Sequence, residues 1–88
     1  MHTIVIDCTD VRSAEEFWQR YLDAAKPEGA AFFGRNLNAF WDAVEGAGPG
    51  WPGDARLAFT NTTHLEPALL EGLRSIAHEA THTRIDVT

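Results

Sequence analysis

Hydrophobic and polar residues follow two different periods along this chain, and each period predicts one kind of element. A run rich in β-branched residues at positions 3–8 predicts a buried strand, which ends at the polar Thr9-Asp10 pair. Residues 56–60 predict a second strand. Residues 84–87 predict a third, because polar and apolar positions alternate there as in a half-buried strand. The pattern therefore predicts three short strands.

Two helices are predicted between the first and second strands. The first begins at a capping box at residues 13–16 and ends in the turn-forming residues 26–29. The second begins at Asn36, whose side chain suits a helix cap, and covers residues 37–45. Residues 46–53 are rich in glycine and proline, so they are predicted to form a loop.

A third helix is predicted between the second and third strands. It begins at Glu66-Pro67, because proline fits the first turn of a helix, and it fades near Ala80. The element order is therefore β-α-α-β-α-β, and strands joined by helices lie parallel through right-handed crossovers. The sequence predicts an α/β fold, a small three-stranded parallel sheet with packed helices, formed by residues 1–88 as a single domain.

Length and composition agree with one globular domain. The chain has 88 residues, 44% hydrophobic and 23% charged, which is enough for a single modest core. Its formal net charge of −6 at pH 7 disfavours nucleic acid and anionic membranes as partners and favours a basic protein. Many proteins are mildly acidic only for solubility, so the charge alone leaves the partner open.

The only cysteine, Cys8, rules out an internal disulfide. It lies in the apolar first strand, where we expect an inert core thiol and not a nucleophile. The amino-terminal segment has no basic stretch, and no segment approaches the apolar length that spans a bilayer. From these features we expect a cytoplasmic protein.

The second predicted helix carries the most informative surface. At about 100° per residue, its core side is formed by Leu37, Phe40, Trp41 and Val44, with Trp41 at the border. An amide and two carboxylates share another face, and they are Asn38, Asp42 and Glu45. No lysine or arginine occurs between Asn36 and Ala55, so no cation nearby in the sequence pairs with them. A solvated helix face explains most such surfaces; a binding site for a basic partner is the functional alternative.

The segment around this helix resembles the signature of the barstar family of ribonuclease inhibitors. Residues 32–46 read FFGRNLNAFWDAVEG. The signature is an aromatic pair, Gly-x-Asn-Leu-Asp-Ala, an apolar residue, Trp-Asp and a closing glycine. The likeness is close here and weaker over the rest of the chain, where length and element order agree. It implies the same three-stranded parallel fold.

The resemblance implies an inhibitor without enzymatic activity or cofactor. Its implied partner is a basic, guanyl-preferring microbial ribonuclease of the extracellular type, bound one to one, with no direct contact to nucleic acid. In the family this helix and its adjoining loop enter the RNA-binding cleft. The aspartate corresponding to Asp42 is held there by the catalytic cations in place of a substrate phosphate, whose negative oxygens a carboxylate resembles. The alternative is a barstar-like immunity module for another basic toxin or partner.

The resemblance also implies a set of partner-binding residues: Phe32, Asn36, Asn38, Trp41, Asp42, Glu45, Gly46 and Glu79. The chain departs from the family at several of its positions. Asn38 stands where a second aspartate is frequent, Phe32 replaces a tyrosine, and Ser75 replaces another acid. The family's short helix after the second strand is missing or reduced to residues 61–65. The sequence leaves Trp51 open between a contact residue and a lid on the core.

A competing motif lies near the carboxyl end. Residues 78–82 match H-E-x-x-H, in which two histidines one helical turn apart bind zinc. That geometry needs helix through His82, whereas Thr81, Thr83 and the following strand pattern indicate that the helix is ending. Asp86 is the only further ligand downstream. We therefore expect no metal site, with incidental metal affinity at the two histidines as the alternative.

Overall fold

The computed structural model describes residues 2–88 and contains the elements in the predicted order β-α-α-β-α-β. The strands are β1 (His2–Asp7), β2 (Ala55–Thr60) and β3 (Ile85–Val87). The helices are α1 (Ala14–Ala25), α2 (Leu37–Gly46) and α3 (Pro67–Glu79), and a 3₁₀ turn covers Ala30–Phe32. The predicted α/β fold is confirmed.

The three strands form one parallel sheet in the order β1-β2-β3. Ile6 pairs with Phe59, and Leu57 pairs with Ile85, and all four side chains are buried on the same face. The other face is open to solvent, because Val5 is 57% exposed there. The helices therefore cover only one face of the sheet, and the molecule has a single core.

Aromatic rings make up the centre of that core. Three come from α1, one from α2, one from the loop before α2 and one from β2, and they are Phe17, Trp18, Tyr21, Phe40, Phe33 and Phe59. Neighbouring ring centroids lie 4.7–6.3 Å apart, the range in which aromatic pairs stabilise each other beyond simple burial. Cys8 is buried beside them, and burial raises the pKa of its thiol to about 11, as expected for a core residue.

Each helix begins where its predicted cap lies. The Ser13 hydroxyl accepts a hydrogen bond from the Glu16 N–H (3.1 Å), and Asn36 Oδ1 accepts one from the Ala39 N–H (2.7 Å). The Glu66 carboxylate accepts from two N–H groups of the first turn of α3. These bonds satisfy donors that have no partner inside a helix. Within residues 2–88, no helix has the length and apolar character that a membrane span requires.

Some element ends differ by one residue from the sequence prediction. β1 ends at Asp7 because its carboxylate accepts from the N–H (3.0 Å) and hydroxyl (2.7 Å) of Thr9, which turns the chain. With Asn61 as a further donor, these hydrogen bonds lower the Asp7 pKa to about 2, the Thr9 hydroxyl contributing most. α2 continues through Gly46, since Ala47 forms its left-handed cap. Residues 61–65 contain turns and no helix, as expected.

The glycine-rich loop after α2 is anchored to the core. The buried Tyr21 hydroxyl donates to the Gly50 carbonyl (2.7 Å), and the Gly50 N–H donates to the Glu28 carbonyl (3.3 Å). Gly50 has a φ of 92°, and a Cβ atom there would lie 2.5 Å from the Phe33 ring. Only glycine therefore fits this position, and the loop has one defined path.

Alanine at Gly50 should destabilise the fold more than alanine at Gly53. Both positions have a positive φ, which costs a residue with a side chain about 1–3 kcal/mol. Gly50→Ala adds overlap with Phe33, for about 1–3 kcal/mol more, whereas a Cβ at Gly53 meets no atom within 4 Å. Urea unfolding of both variants measures the difference. Equal losses would show that Phe33 moves aside without cost.

Candidate functional site

The rotation of α2 about its axis is fixed by its buried side. Phe40, Ala43 and Val44 are buried, and Asn38 and Asp42 are exposed on the opposite side, one helical turn apart. Trp41 is half-buried at the border between the two sides, as predicted. The packing of three apolar side chains thus decides which polar groups α2 presents to solvent.

Asp42 is the free carboxylate of this surface. Within residues 2–88, no ion pair or hydrogen bond engages its side chain. Its backbone is held firmly, because its carbonyl accepts from the Gly48 N–H (3.1 Å) and from the N–H of Ala47, the cap of α2. Asp42 therefore presents an unpaired negative charge from a fixed backbone.

Glu45, by contrast, is already bound within the molecule. Its Oε1 accepts from the N–H groups of Thr81 (2.8 Å) and His82 (3.1 Å), and its Oε2 accepts from the Thr81 hydroxyl (2.8 Å). His82 Nδ1 lies 3.3 Å from Oε1. The backbone N–H of Thr81 is the main reason that the Glu45 pKa falls to about 2. No lysine or arginine pairs with Glu45, but its carboxylate is occupied, because the α3–β3 loop folds onto the end of α2.

The sequence did not predict that residues 81 and 82 donate hydrogen bonds to Glu45. They lie more than thirty positions after Glu45, and two of the three hydrogen bonds come from backbone groups that carry no side-chain signal. The Thr81 hydroxyl was the only available hint. A threonine after a helix is too common to indicate a partner.

Two exposed aromatic residues flank α2. Phe32 ends the 3₁₀ turn and is 81% exposed, whereas the adjacent Phe33 is buried and anchors the turn. The Trp51 side chain is 39% exposed, so it is not a buried lid on the core. Its backbone N–H donates to the Gly48 carbonyl (3.0 Å), which holds the loop in place. Exposed aromatic side chains on rigid backbone are typical of protein-binding surfaces.

The remaining predicted contact residues differ in their surroundings, and they are Asn36, Gly46 and Glu79. Both ends of the Asn36 amide serve the fold, because Oδ1 caps α2 and Nδ2 donates to the Gly34 carbonyl (3.1 Å). Gly46 is exposed at the end of α2, where a Cβ would meet no atom within 4 Å. Glu79 is exposed as the last residue of α3. The bonds between Glu45 and Thr81 bring this end of α3 close to the end of α2.

The zinc-binding pattern does not form. α3 ends at Glu79, and Ala80 is extended with φ −65° and ψ 132°, so His82 leaves the helix that carries His78. Nowhere in residues 2–88 do three possible metal ligands come together. The helix end was predicted correctly from the threonines that follow it.

A cleft of about 530 Å³ lies away from α2, at the carboxyl ends of β1 and β2. Some of its polar side chains have partners within the fold, whereas those of Asp10, Arg12 and Thr63 make no hydrogen bond or ion pair within residues 2–88. The Asn61 amide donates to Asp7, and a ring nitrogen of His64 lies 3.1 Å from the Val11 carbonyl. An open helix surface such as that of α2 suits a macromolecular partner, whereas a small cleft suits a small molecule.

Comparison with known protein families agrees with this geometry. Residues 1–84 match the family described as Barstar (barnase inhibitor). The chain belongs to the barstar family. A sequence comparison with curated proteins finds no match. Membership of the barstar family supports a barnase-type ribonuclease inhibitor or a related binding module, which acts through protein–protein interaction and not as an enzyme.

Replacing Glu45 should make the stability of this barstar-family protein less sensitive to acid. The folded-state pKa of about 2 lies below the ordinary value of 4.5. Ionised Glu45 therefore stabilises the fold fully above pH 4.5 and progressively less as the pH falls toward 2. The loss of free energy of unfolding in Glu45→Gln should be largest near pH 7 and reduced by roughly half at about pH 3. Urea unfolding at both pH values measures it.

Glu71→Gln is the matched control, because it removes the same charge from an exposed position of α3. It should change stability little at either pH. A loss in Glu45→Gln that did not vary with pH would contradict the assignment of the ionised carboxylate as the stabilising form.

Proposed function

We propose that this protein inhibits a basic, guanyl-preferring microbial ribonuclease of the extracellular type by covering its active site in a one-to-one complex. The observation that carries the proposal is the Asp42 carboxylate, exposed and unpaired on a helix whose rotation is fixed by buried residues. A cytoplasmic inhibitor would protect the cell that makes such an enzyme before the enzyme is exported.

The chemistry of the target explains why one carboxylate matters so much. A ribonuclease holds RNA phosphates with arginine, lysine and histidine side chains, and these groups also form charge-assisted hydrogen bonds with carboxylate oxygens. Asp42 would stand in for a substrate phosphate. It would leave the cations fully occupied, and because the inhibitor holds no ester bond there, nothing would be cleaved.

Rigidity supports the same role. α2 is capped by Asn36 at its start and by Ala47 at its end, and the following loop is tied to Tyr21 through Gly50. A surface that is ordered before binding loses little conformational entropy on association, so more of the interaction energy appears as affinity. Phe32, before α2 in the chain, and Trp51, after it, would supply exposed apolar area for contact with the enzyme.

Asp42→Ala should weaken binding to the ribonuclease by about 2–5 kcal/mol, because it leaves the enzyme's buried cations without a partner. Folding should be unaffected, since the Asp42 side chain is exposed and makes no hydrogen bond or ion pair within residues 2–88. Steady-state inhibition of a guanyl-preferring ribonuclease, at low and physiological salt, measures the loss, and circular dichroism checks the fold.

A pair of asparagine variants separates position from net charge. Asp42→Asn and Asp10→Asn each remove one negative charge, and Asp10 lies in the turn after β1, outside α2. Only Asp42→Asn should lose inhibition. Equal, small losses in both variants would show that general electrostatic attraction operates and that Asp42 is not an anchor.

Asn38→Asp should speed association with the ribonuclease at low salt. It adds a second carboxylate one helical turn from Asp42, and a stronger negative field steers a basic partner. Its position in the first turn of α2 favours a negative charge, so the fold should tolerate it. Stopped-flow association rates at two salt concentrations test the effect; an unchanged rate would mean that Asn38 lies outside the interface.

An immunity module for another basic toxin is the second candidate, and one observation favours it. Asn38 is neutral and Glu45 is bound internally, so α2 presents fewer free charges than the resemblance implies. A target with fewer cations would match this surface better. Inhibition or binding assays with several basic nucleases distinguish the two candidates, because each predicts a different enzyme as the tight partner.

A further inference from the structure

The carboxyl end of α2 is joined to the α3–β3 loop by a group of hydrogen bonds that we call the Glu45 clamp. It consists of the three bonds from residues 81 and 82 to the Glu45 carboxylate and a fourth, in which the Thr83 hydroxyl donates to the Val44 carbonyl (2.9 Å). Thr83 is buried, so this last bond is shielded from water.

The clamp supplies partners that neither segment has by itself. The last carbonyls of a helix lack intrahelical donors, and Val44 is one of these because the Gly48 N–H donates to Asp42 instead. The N–H groups of Thr81 and His82 lie in the α3–β3 loop, outside the strands, and have no strand partner. Each segment therefore completes the hydrogen bonding of the other, and the two form one unit.

The two ends of the clamp lie next to exposed carboxylates. Asp42 precedes Glu45 by three residues on α2, and Glu79 precedes Thr81 by two residues at the end of α3. We propose that Glu45 is a positioning residue and not a contact residue: its carboxylate holds the α3–β3 loop against α2, so that Asp42 and Glu79 reach the partner as one rigid surface. The proposal rests on the inhibitory function proposed above.

The geometry of Glu45 argues against direct contact with a partner. Both carboxylate oxygens already accept hydrogen bonds, and the side chain is only 22% exposed. A cation of the ribonuclease would have to break these bonds before it could bind Glu45, and the cost would offset most of the gain. Asp42, with no internal partner, binds a cation without this loss.

Thr81→Val tests the clamp without changing any charge. It removes the hydroxyl bond to Glu45 and leaves the shape and the backbone N–H in place. Dissociation from the ribonuclease should be a few-fold faster in Thr81→Val and about tenfold faster in Glu45→Ala, as for residues that share one network. The double variant should be no faster than Glu45→Ala. Thr63→Val, at an exposed threonine of the turn between β2 and α3, is the matched control and should dissociate like the wild type.

Two results would overturn the proposal. The first is that Thr81→Val dissociates at the wild-type rate, whereas Glu45→Ala associates more slowly and the effect depends on salt. That combination would make Glu45 a contact residue. The other is full additivity of the two substitutions. Circular dichroism confirms the fold of each variant, and Thr81→Val keeps the test valid if Glu45→Ala unfolds.

Amide exchange in the free protein separates this proposal from the proposed function. The N–H groups of Thr81 and His82 should exchange faster in Glu45→Ala than in the wild type, with amides of the central strand β2 as internal references. Unchanged exchange would overturn the clamp. If the wild type inhibits no ribonuclease while Glu45→Ala still shows faster exchange at Thr81 and His82, the inhibitory function is overturned. The clamp then remains as a structural feature of the fold.

Discussion

The packing of Phe40 against the aromatic rings of α1 and the sheet is the contact on which the rest of the surface depends. Its ring centroid lies 5.3 Å from that of Tyr21, 5.5 Å from Trp18 and 5.9 Å from Phe59. α2 is too short to be stable alone in water, so it exists because this side is buried. Once Phe40 is in place, the helix has one rotation, and Asp42 is on the solvent side.

The same aromatic core extends its control to the segments beside α2. Phe33 is buried and holds the 3₁₀ turn in place, which leaves Phe32 pointing outward. Tyr21 contributes a ring to the core and a hydroxyl to Gly50, so the loop that carries Trp51 is fixed by a core residue. In a protein with one modest core, the residues that stabilise the fold therefore also determine the shape of the candidate binding surface.

Asp42 and Glu45 show how neighbours decide what a carboxylate does. The two residues are three positions apart on one helix and have the same charge. Glu45 is surrounded by donors from the α3–β3 loop, so it is ionised, half-buried and occupied. Asp42 faces solvent with no such donors. The Glu45 carboxylate therefore stabilises the fold. The Asp42 carboxylate is free to bind a partner's cations.

Local patterns in the sequence were sufficient for the elements, their order and the caps at Ser13, Asn36 and Glu66, because these depend on residues only a few positions apart. The parallel sheet followed from that order, since strands joined by helices lie parallel. Local patterns also placed Asp42 on the exposed side of α2, since helical period and apolar spacing are local quantities. The state of Glu45 and the single path of the loop at Gly50 were decided only by the tertiary structure. Both depend on groups distant in the chain, namely the Thr81 and His82 N–H groups and the Phe33 ring, and many of these are backbone atoms that every sequence shares.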